Sequence, residues 1–150
     1  MKLLMVCLGN ICRSPIAEVV MQKLIREQGL NWKVDSAGTN RYHKGGPADP
    51  RSVAICKTHG LDLSNHVARR FEPSDFKKYD VIYSLADDVT AEIRSFARTS
   101  DDMKNVRGFL DALHPEQLGR SVPDPWYGGD DGFEECYQLV ERACRAILKR

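Results

Sequence analysis

No apolar run in this 150-residue chain approaches the roughly 18 residues that a membrane-spanning helix needs, so no membrane partner is expected. The apolar opening, MKLLMVCLGN, is short for a secretory signal, and no small-residue cleavage site follows it, which predicts a cytoplasmic protein. Charge of one sign is also missing: 22 Lys and Arg face 21 Asp and Glu, for a net +1. A nucleic-acid binder working through a broad cationic face carries more excess, so no nucleic-acid partner is expected. Cysteine is scarce and odd in number: Cys7, Cys12, Cys56, Cys136 and Cys144, with no C-x-x-C pair. That excludes a disulfide scaffold and suits a reducing compartment. His43, His59, His66 and His114 form no pair at zinc spacing, so neither a metal nor another cofactor is expected. The glycine patterns G-x-x-x-x-G-K-[ST] and G-x-G-x-x-G are absent, which removes two common nucleotide loops.

What is present reads as an ordinary globular chain, 42% apolar and 29% charged, with no repeat or linker. Its length predicts a single domain over residues 1–150, acting as a monomer by default. Short apolar runs alternate with longer amphipathic stretches. Lys2–Cys7, Trp32–Ser36, Asp80–Leu85 and Val106–Phe109 read as strands. Ser14–Gln28 reads as a helix, with Ser14 as cap, Pro15 at the first helical position and Gly29 at the end. Pro50–His59 reads as a second helix closed by Gly60, and a third starts at Asp87 and Asp88. Phe133, Cys136, Tyr137, Val140, Cys144, Ile147 and Leu148 draw one apolar stripe on a last helix. The alternation implies an α/β protein: a three-layer fold with a four-stranded parallel sheet and helices on both faces. Such sheets bind ligands outside the carboxyl ends of their strands, and the first strand ends on Cys7.

The stretch C-L-G-N-I-C-R-S-P, Cys7 to Pro15, contains C-x5-R followed by serine. The bare pattern also occurs at Cys136–Arg142 and Cys144–Arg150, within or at the end of the last helix. There the backbone amides are already bonded, and both cysteines fall on the apolar stripe, as small core hydrophobes do. The first copy lies between a strand and a helix. Gly9 permits a tight turn and a close approach of ligand to backbone. Unpaired amides at the helix start, and the concave nest of the turn, favour an anion. Arg13 adds a two-pronged donor for phosphate oxygens. The same field should lower the Cys7 pKa below the free value of about 8.5. The plainer alternative is a buried cysteine ending a strand, with an arginine on the next helix.

A cysteine attacking a phosphate ester needs a proton donor for the leaving oxygen. Asp124 is the candidate, held between Pro123 and Pro125 and followed by Trp126, Tyr127 and two glycines. Beside aromatic rings it is expected to be partly desolvated, with a raised pKa. Taken alone, the segment also reads as a turn before the last helix.

Together, CLGNICRSP at 7–15, DSAGT at 35–39, Tyr42-His43, HVAR at 66–69 and DPWYGG at 124–129 resemble the low-molecular-weight protein tyrosine phosphatase family. The resemblance spans most of the chain and implies hydrolysis of phosphotyrosine in proteins, peptides or small aryl phosphates. It implies Cys7 as nucleophile, Arg13 as phosphate clamp, and Asp124 as acid and then base. Leu8, Gly9, Asn10, Ile11, Cys12 and Ser14 would complete the phosphate-binding loop, with Ser14 bonding the Cys7 sulfur. Asn10 would hold the loop shape, supported by Ser36 and His66. Tyr42, Trp126 and Tyr127 would wall a deep slot. Cys12 would be a partner for a reversible disulfide with Cys7, a chemically reasonable fate for an accessible thiolate beside a thiol. One departure stands out: Ala86 occupies a place where the family often has aspartate, and Asp87 comes one residue late.

Two enzymatic rivals share parts of this pattern. A thiol-dependent arsenate reductase needs further relay cysteines, and residues 80–100 contain none. A phosphoarginine phosphatase would favour a polar residue where Ile11 stands. A non-catalytic phosphate-binding module is the rival from another class, and it leaves Asp124 without a role.

Overall fold

The computed structural model describes residues 1–127 and 130–149, without the side chains of Tyr127 and Asp130. Four strands form one sheet: β1 (Lys2–Cys7), β2 (Lys33–Gly38), β3 (Val81–Ser84) and β4 (Val106–Gly108). Every pairing is parallel and the order is β2-β1-β3-β4. The helices are α1 (Arg13–Glu27), α2 (Pro50–Thr58), α3 (Asp75–Lys78), α4 (Asp87–Phe96) and α5 (Asp130–Leu148). Short 3-10 turns cover Ser100–Asn105 and Pro125–Tyr127.

The two-residue period of β1 sorts its side chains to two cores. Leu3, Met5 and Cys7 join the core built with α1, α2 and α5. Leu4 and Val6 join the opposite core, with Phe76 and Tyr79 at α3 and Val89 and Ile93 of α4. The alternating strands and helices thus close into the three layers expected. The order also makes β1 the point where the sheet changes its direction of growth. The crevice beyond its carboxyl end is where this architecture seats a ligand.

Element ends differ from the sequence reading by a residue or two. Strand β2 runs on to Gly38, because Val6 and Cys7 of β1 pair with Ala37 and Gly38. Helix α1 starts at Arg13 with Cys12 as its N-cap, so Ser14 is not the cap and Pro15 is not the first helical residue. The reason is chemical: the Ser14 hydroxyl is already engaged by Cys7 and Asn10. Gly29, at φ 66, follows the end of α1, and Gly60, at φ 78, follows α2. Cys136 and Cys144 are buried in α5 as expected. Burial pushes the Cys136 thiol up to about 12, the reverse of what a nucleophile needs. No helix among the described residues is long and apolar enough to cross a membrane.

Candidate active site

The loop after β1 wraps around one sulfur. Cys7 Sγ lies 3.0 Å from Ser14 Oγ and receives the Ser14 backbone N–H at 3.4 Å. That amide belongs to the first turn of α1, where N–H groups lack intrahelical acceptors and favour negative charge. Cys7 is only 2% exposed, yet it lines a cleft of about 340 Å³. The cleft is also lined by Leu8, Gly9, Ile11, Cys12 and Arg13 of the loop, and by Tyr42 and Trp126 near its mouth. Asp124 lines it too, so Cys7, Arg13 and Asp124 face one space.

The loop keeps its shape through Asn10, which holds the left-handed conformation at φ 58. The turn therefore places its positive φ on Asn10 and not on Gly9. Asparagine tolerates this region better than most residues because its short side chain bonds locally. Here Asn10 Nδ2 donates to Ser14 Oγ at 2.8 Å and to Ser36 Oγ at 2.9 Å. Its Oδ1 accepts the Arg69 N–H at 3.0 Å, and its carbonyl lies 2.7 Å from His66 Nε2. A carbonyl only accepts, so His66 must carry its proton on Nε2. Ser36 and His66 thus both bond Asn10, one at its side chain and one at its carbonyl. Asn10→Ala is expected to destabilise the fold by about 1–3 kcal/mol, since it strips buried partners from Ser14, Ser36 and the Arg69 amide. Denaturant unfolding checks this, and Asn10→Gly, which suits the positive φ, should recover only part of the loss.

Gly38 is essential for a different reason. A Cβ there would lie 2.7 Å from the Leu8 carbonyl oxygen and 2.9 Å from the Asn10 nitrogen, both backbone atoms. Gly38→Ala is expected to push the loop out of shape at a cost of about 1–3 kcal/mol. A lowered Tm together with a fall in activity would report it. Gly9 is crowded as well: its Cβ would meet His43 Cδ2 at 3.0 Å.

Arg13 is buried, and its Nη1 donates to the Val122 carbonyl at 2.9 Å. Its Nη2 lies 3.8 Å from Asp124 Oδ2. The Asp124 side chain is 33% exposed, so the desolvated acid expected from the flanking prolines and aromatics is not what forms. The aromatic neighbours turn outward, with Trp126 38% and Tyr42 86% exposed. Asp124 instead borders Arg13, and its Oδ1 accepts the Trp126 N–H at 3.0 Å. The side chain of Tyr127, the third expected wall, lies outside the described residues, as do Gly128 and Gly129.

Cys12 is buried, and burial together with the nearby Asp49 carboxylate pushes its thiol far up. At neutral pH it is a thiol. The late aspartate has a structural answer: Ser121 Oγ donates to Asp87 Oδ1 at 3.1 Å, and the Asp87 N–H donates to Ser121 Oγ at 2.9 Å. The Val122 N–H bonds the Leu85 carbonyl at 2.7 Å. These contacts anchor the segment that leads into Asp124.

Sequence reasoning missed several residues at this site. His43 and Asn40 line the cleft, and the His43 ring stands 5.8 Å from that of Trp126. Glu18 accepts from Ser36 Oγ at 2.5 Å, behind the loop. Burial raises the Glu18 pKa, and the Ser36 hydrogen bond opposes that rise. A glutamate one turn into a helix gives no signal of this in sequence. His43 did have one, its place beside Tyr42 in a matching segment.

The family model described as low molecular weight phosphotyrosine protein phosphatase matches residues 2–150. A low molecular weight phosphotyrosine protein phosphatase of Homo sapiens is 41% identical over 151 residues, covering 98% of this chain and 93% of its own. A low molecular weight protein-tyrosine-phosphatase of Streptomyces coelicolor is 44% identical over 147 residues, covering 95% and 88%. The crystal structure of a protein tyrosine phosphatase from Entamoeba histolytica superposes with a TM-score of 0.91 at 37% identity, covering 99% of this chain and 95% of that one.

Proposed function

The chain belongs to the low molecular weight phosphotyrosine protein phosphatase family, and from that premise we propose that it hydrolyses phosphotyrosine monoesters through a cysteinyl-phosphate. The observation that carries this reading is the convergence of Cys7, Arg13 and Asp124 on one cleft, with a helix-start amide on the sulfur. As the thiolate, Cys7 Sγ attacks phosphorus in line. The S–P bond forms as the P–O bond to the phenol breaks, and the Asp124 carboxyl gives its proton to the leaving oxygen. Water then attacks the cysteinyl-phosphate. The S–P bond breaks, the thiolate returns, and Asp124 takes the proton from water. Phosphoryl transfer passes through a loose transition state, so the loop amides and the Arg13 guanidinium do most of their work by positioning and by stabilising charge.

A phenol leaves with a pKa near 10, better than an aliphatic alcohol. The Tyr42 and Trp126 rings at the cleft mouth suit an aryl group. The protein is proposed to act on phosphotyrosine peptides as a monomer, the default for a single domain of this length. All five cysteines are free, which fits a cytoplasmic setting. The test is a panel of phosphotyrosine, phosphoserine and phosphoarginine peptides, with rapid-mixing kinetics on p-nitrophenyl phosphate. Phosphotyrosine should be cleaved preferentially, with a nitrophenol burst stoichiometric with labelled Cys7. Preference for another phosphoamino acid, or product release without a phosphoenzyme, would overturn the reading.

A further inference from the structure

An acid in a loop protonates a leaving group well only if its carboxyl is held at a fixed place relative to the nucleophile. On its amino side, the Asp124 loop is tied by Val122 to Leu85 and Arg13. On its carboxyl side it meets Arg51, a residue of α2 that does not line the cleft. Arg51 Nη1 donates to the Trp126 carbonyl at 3.1 Å, and its guanidinium carbon lies 5.4 Å from the Trp126 ring centroid. The same carbon lies 4.6 Å from the centre of the Phe133 ring.

Behind Arg51 stands Asp49. Arg51 Nε donates to Asp49 Oδ1 at 3.2 Å, and Nη2 donates to Oδ2 at 3.1 Å. Asp49 is buried and caps α2 by accepting the Arg51 N–H at 2.8 Å. Burial opposes its charge, but the bonds and charge of Arg51 outweigh that and hold its carboxyl below the ordinary range. The Asp49 N–H donates to the Ile11 carbonyl of the catalytic loop at 2.9 Å. Phe133 packs in one cluster with Ile11 and Cys12 of that loop. Two paths therefore leave the nucleophile loop, one polar through Asp49 and one apolar through Phe133. They meet on one guanidinium, which holds the residue whose N–H bonds Asp124.

We propose that Arg51, braced by Asp49 and Phe133, is a positioning residue that sets the general acid Asp124 in register with the Cys7 loop. The inference rests on the reading of Asp124 as the acid. A planar guanidinium can stack on two rings while its edge donates to two partners in a fixed fork; a lysine ammonium has three donors but no planar face to stack.

The test compares two aryl phosphates. Phenyl phosphate needs its leaving oxygen protonated, whereas the dinitrophenolate of 2,4-dinitrophenyl phosphate departs largely unaided. Arg51→Ala is expected to lower kcat/KM on phenyl phosphate by about 10- to 100-fold and on the dinitrophenyl ester by less than about threefold, a ratio that reads only the steps up to release of the phenol and leaves out the hydrolysis step both esters share. Arg51→Lys should fall between Arg51→Ala and the unaltered protein. In an Asp124→Asn background, Arg51→Ala should cost phenyl phosphate nothing more, since no acid remains to be positioned. Equal losses on both esters, or a further loss in that background, would overturn the proposal. If Asp124→Asn alone leaves phenyl phosphate turnover intact, the assignment of the acid itself is wrong. Thermal unfolding of each variant controls for folding, and if Arg51→Ala does not fold, Arg51→Lys and Asp49→Asn carry the same comparison.

Discussion

Cys7→Ser is expected to lower turnover of p-nitrophenyl phosphate by at least about 10⁴-fold, because the attacking atom itself is replaced. Serine keeps the size and most of the bonding of the site, including the contact with Ser14 Oγ and the amide at 3.4 Å. What it lacks is the sulfur, which is intrinsically a far better nucleophile than a hydroxyl. The cradle should survive, with Arg13 and the helix-start amides in place, so inorganic phosphate should still bind by calorimetry. A Cys12→Ser control should leave kcat within a few-fold, because burial and Asp49 already keep that thiol protonated. Activity of the Cys7→Ser protein within tenfold of the unaltered chain would remove the nucleophile from the scheme.

Asp124→Asn should cost about 10²- to 10⁴-fold in kcat on phenyl phosphate, the usual contribution of a positioned acid. The replacement retains an oxygen to accept the Trp126 N–H and removes only the transferable proton and the charge near Arg13. Stability should therefore change little: the carboxylate is a third exposed, and its oxygen stands 3.8 Å from the guanidinium, a screened pair worth little. The leaving group gives the sharper readout. In kcat/KM the loss should shrink to less than about tenfold on 2,4-dinitrophenyl phosphate, whose phenolate departs without a proton. Equal losses on both esters would assign proton donation to another group.

The role of Arg51 follows from the same concern with position. The acid loop comes over a hundred residues after Cys7, so neither loop can place the other through local backbone geometry. Arg13 to Val122 and Arg51 to Trp126 bracket Asp124 from both sides. A loop held at one end only would sample positions an ångström or more from the productive one, and proton transfer is steeply sensitive to that distance.

Three copies of C-x5-R show how far the chain can be read without its fold. Cys136 and Cys144 fall on the helical stripe, and periodicity alone assigned them to the core where they lie. Cys7 ends an apolar run before a glycine turn, and that context marked it as the one cysteine at a strand's carboxyl end. The parallel sheet, its helices and the loop came from local pattern, because alternation and amphipathic period are properties of neighbours in sequence. The exposure of Asp124 did not, since prolines and aromatics restrict a backbone without saying which side faces water. Nor did the Asn10 network with Ser36, His66 and Arg69, whose members meet only because β2 and the 66–70 segment pack beside the loop. Residues such as Glu18, Gly38, Asp49 and Arg51 carry no signature of their own. Their importance comes from atoms brought within about 3 Å by long-range packing, and that is a property of the tertiary structure alone.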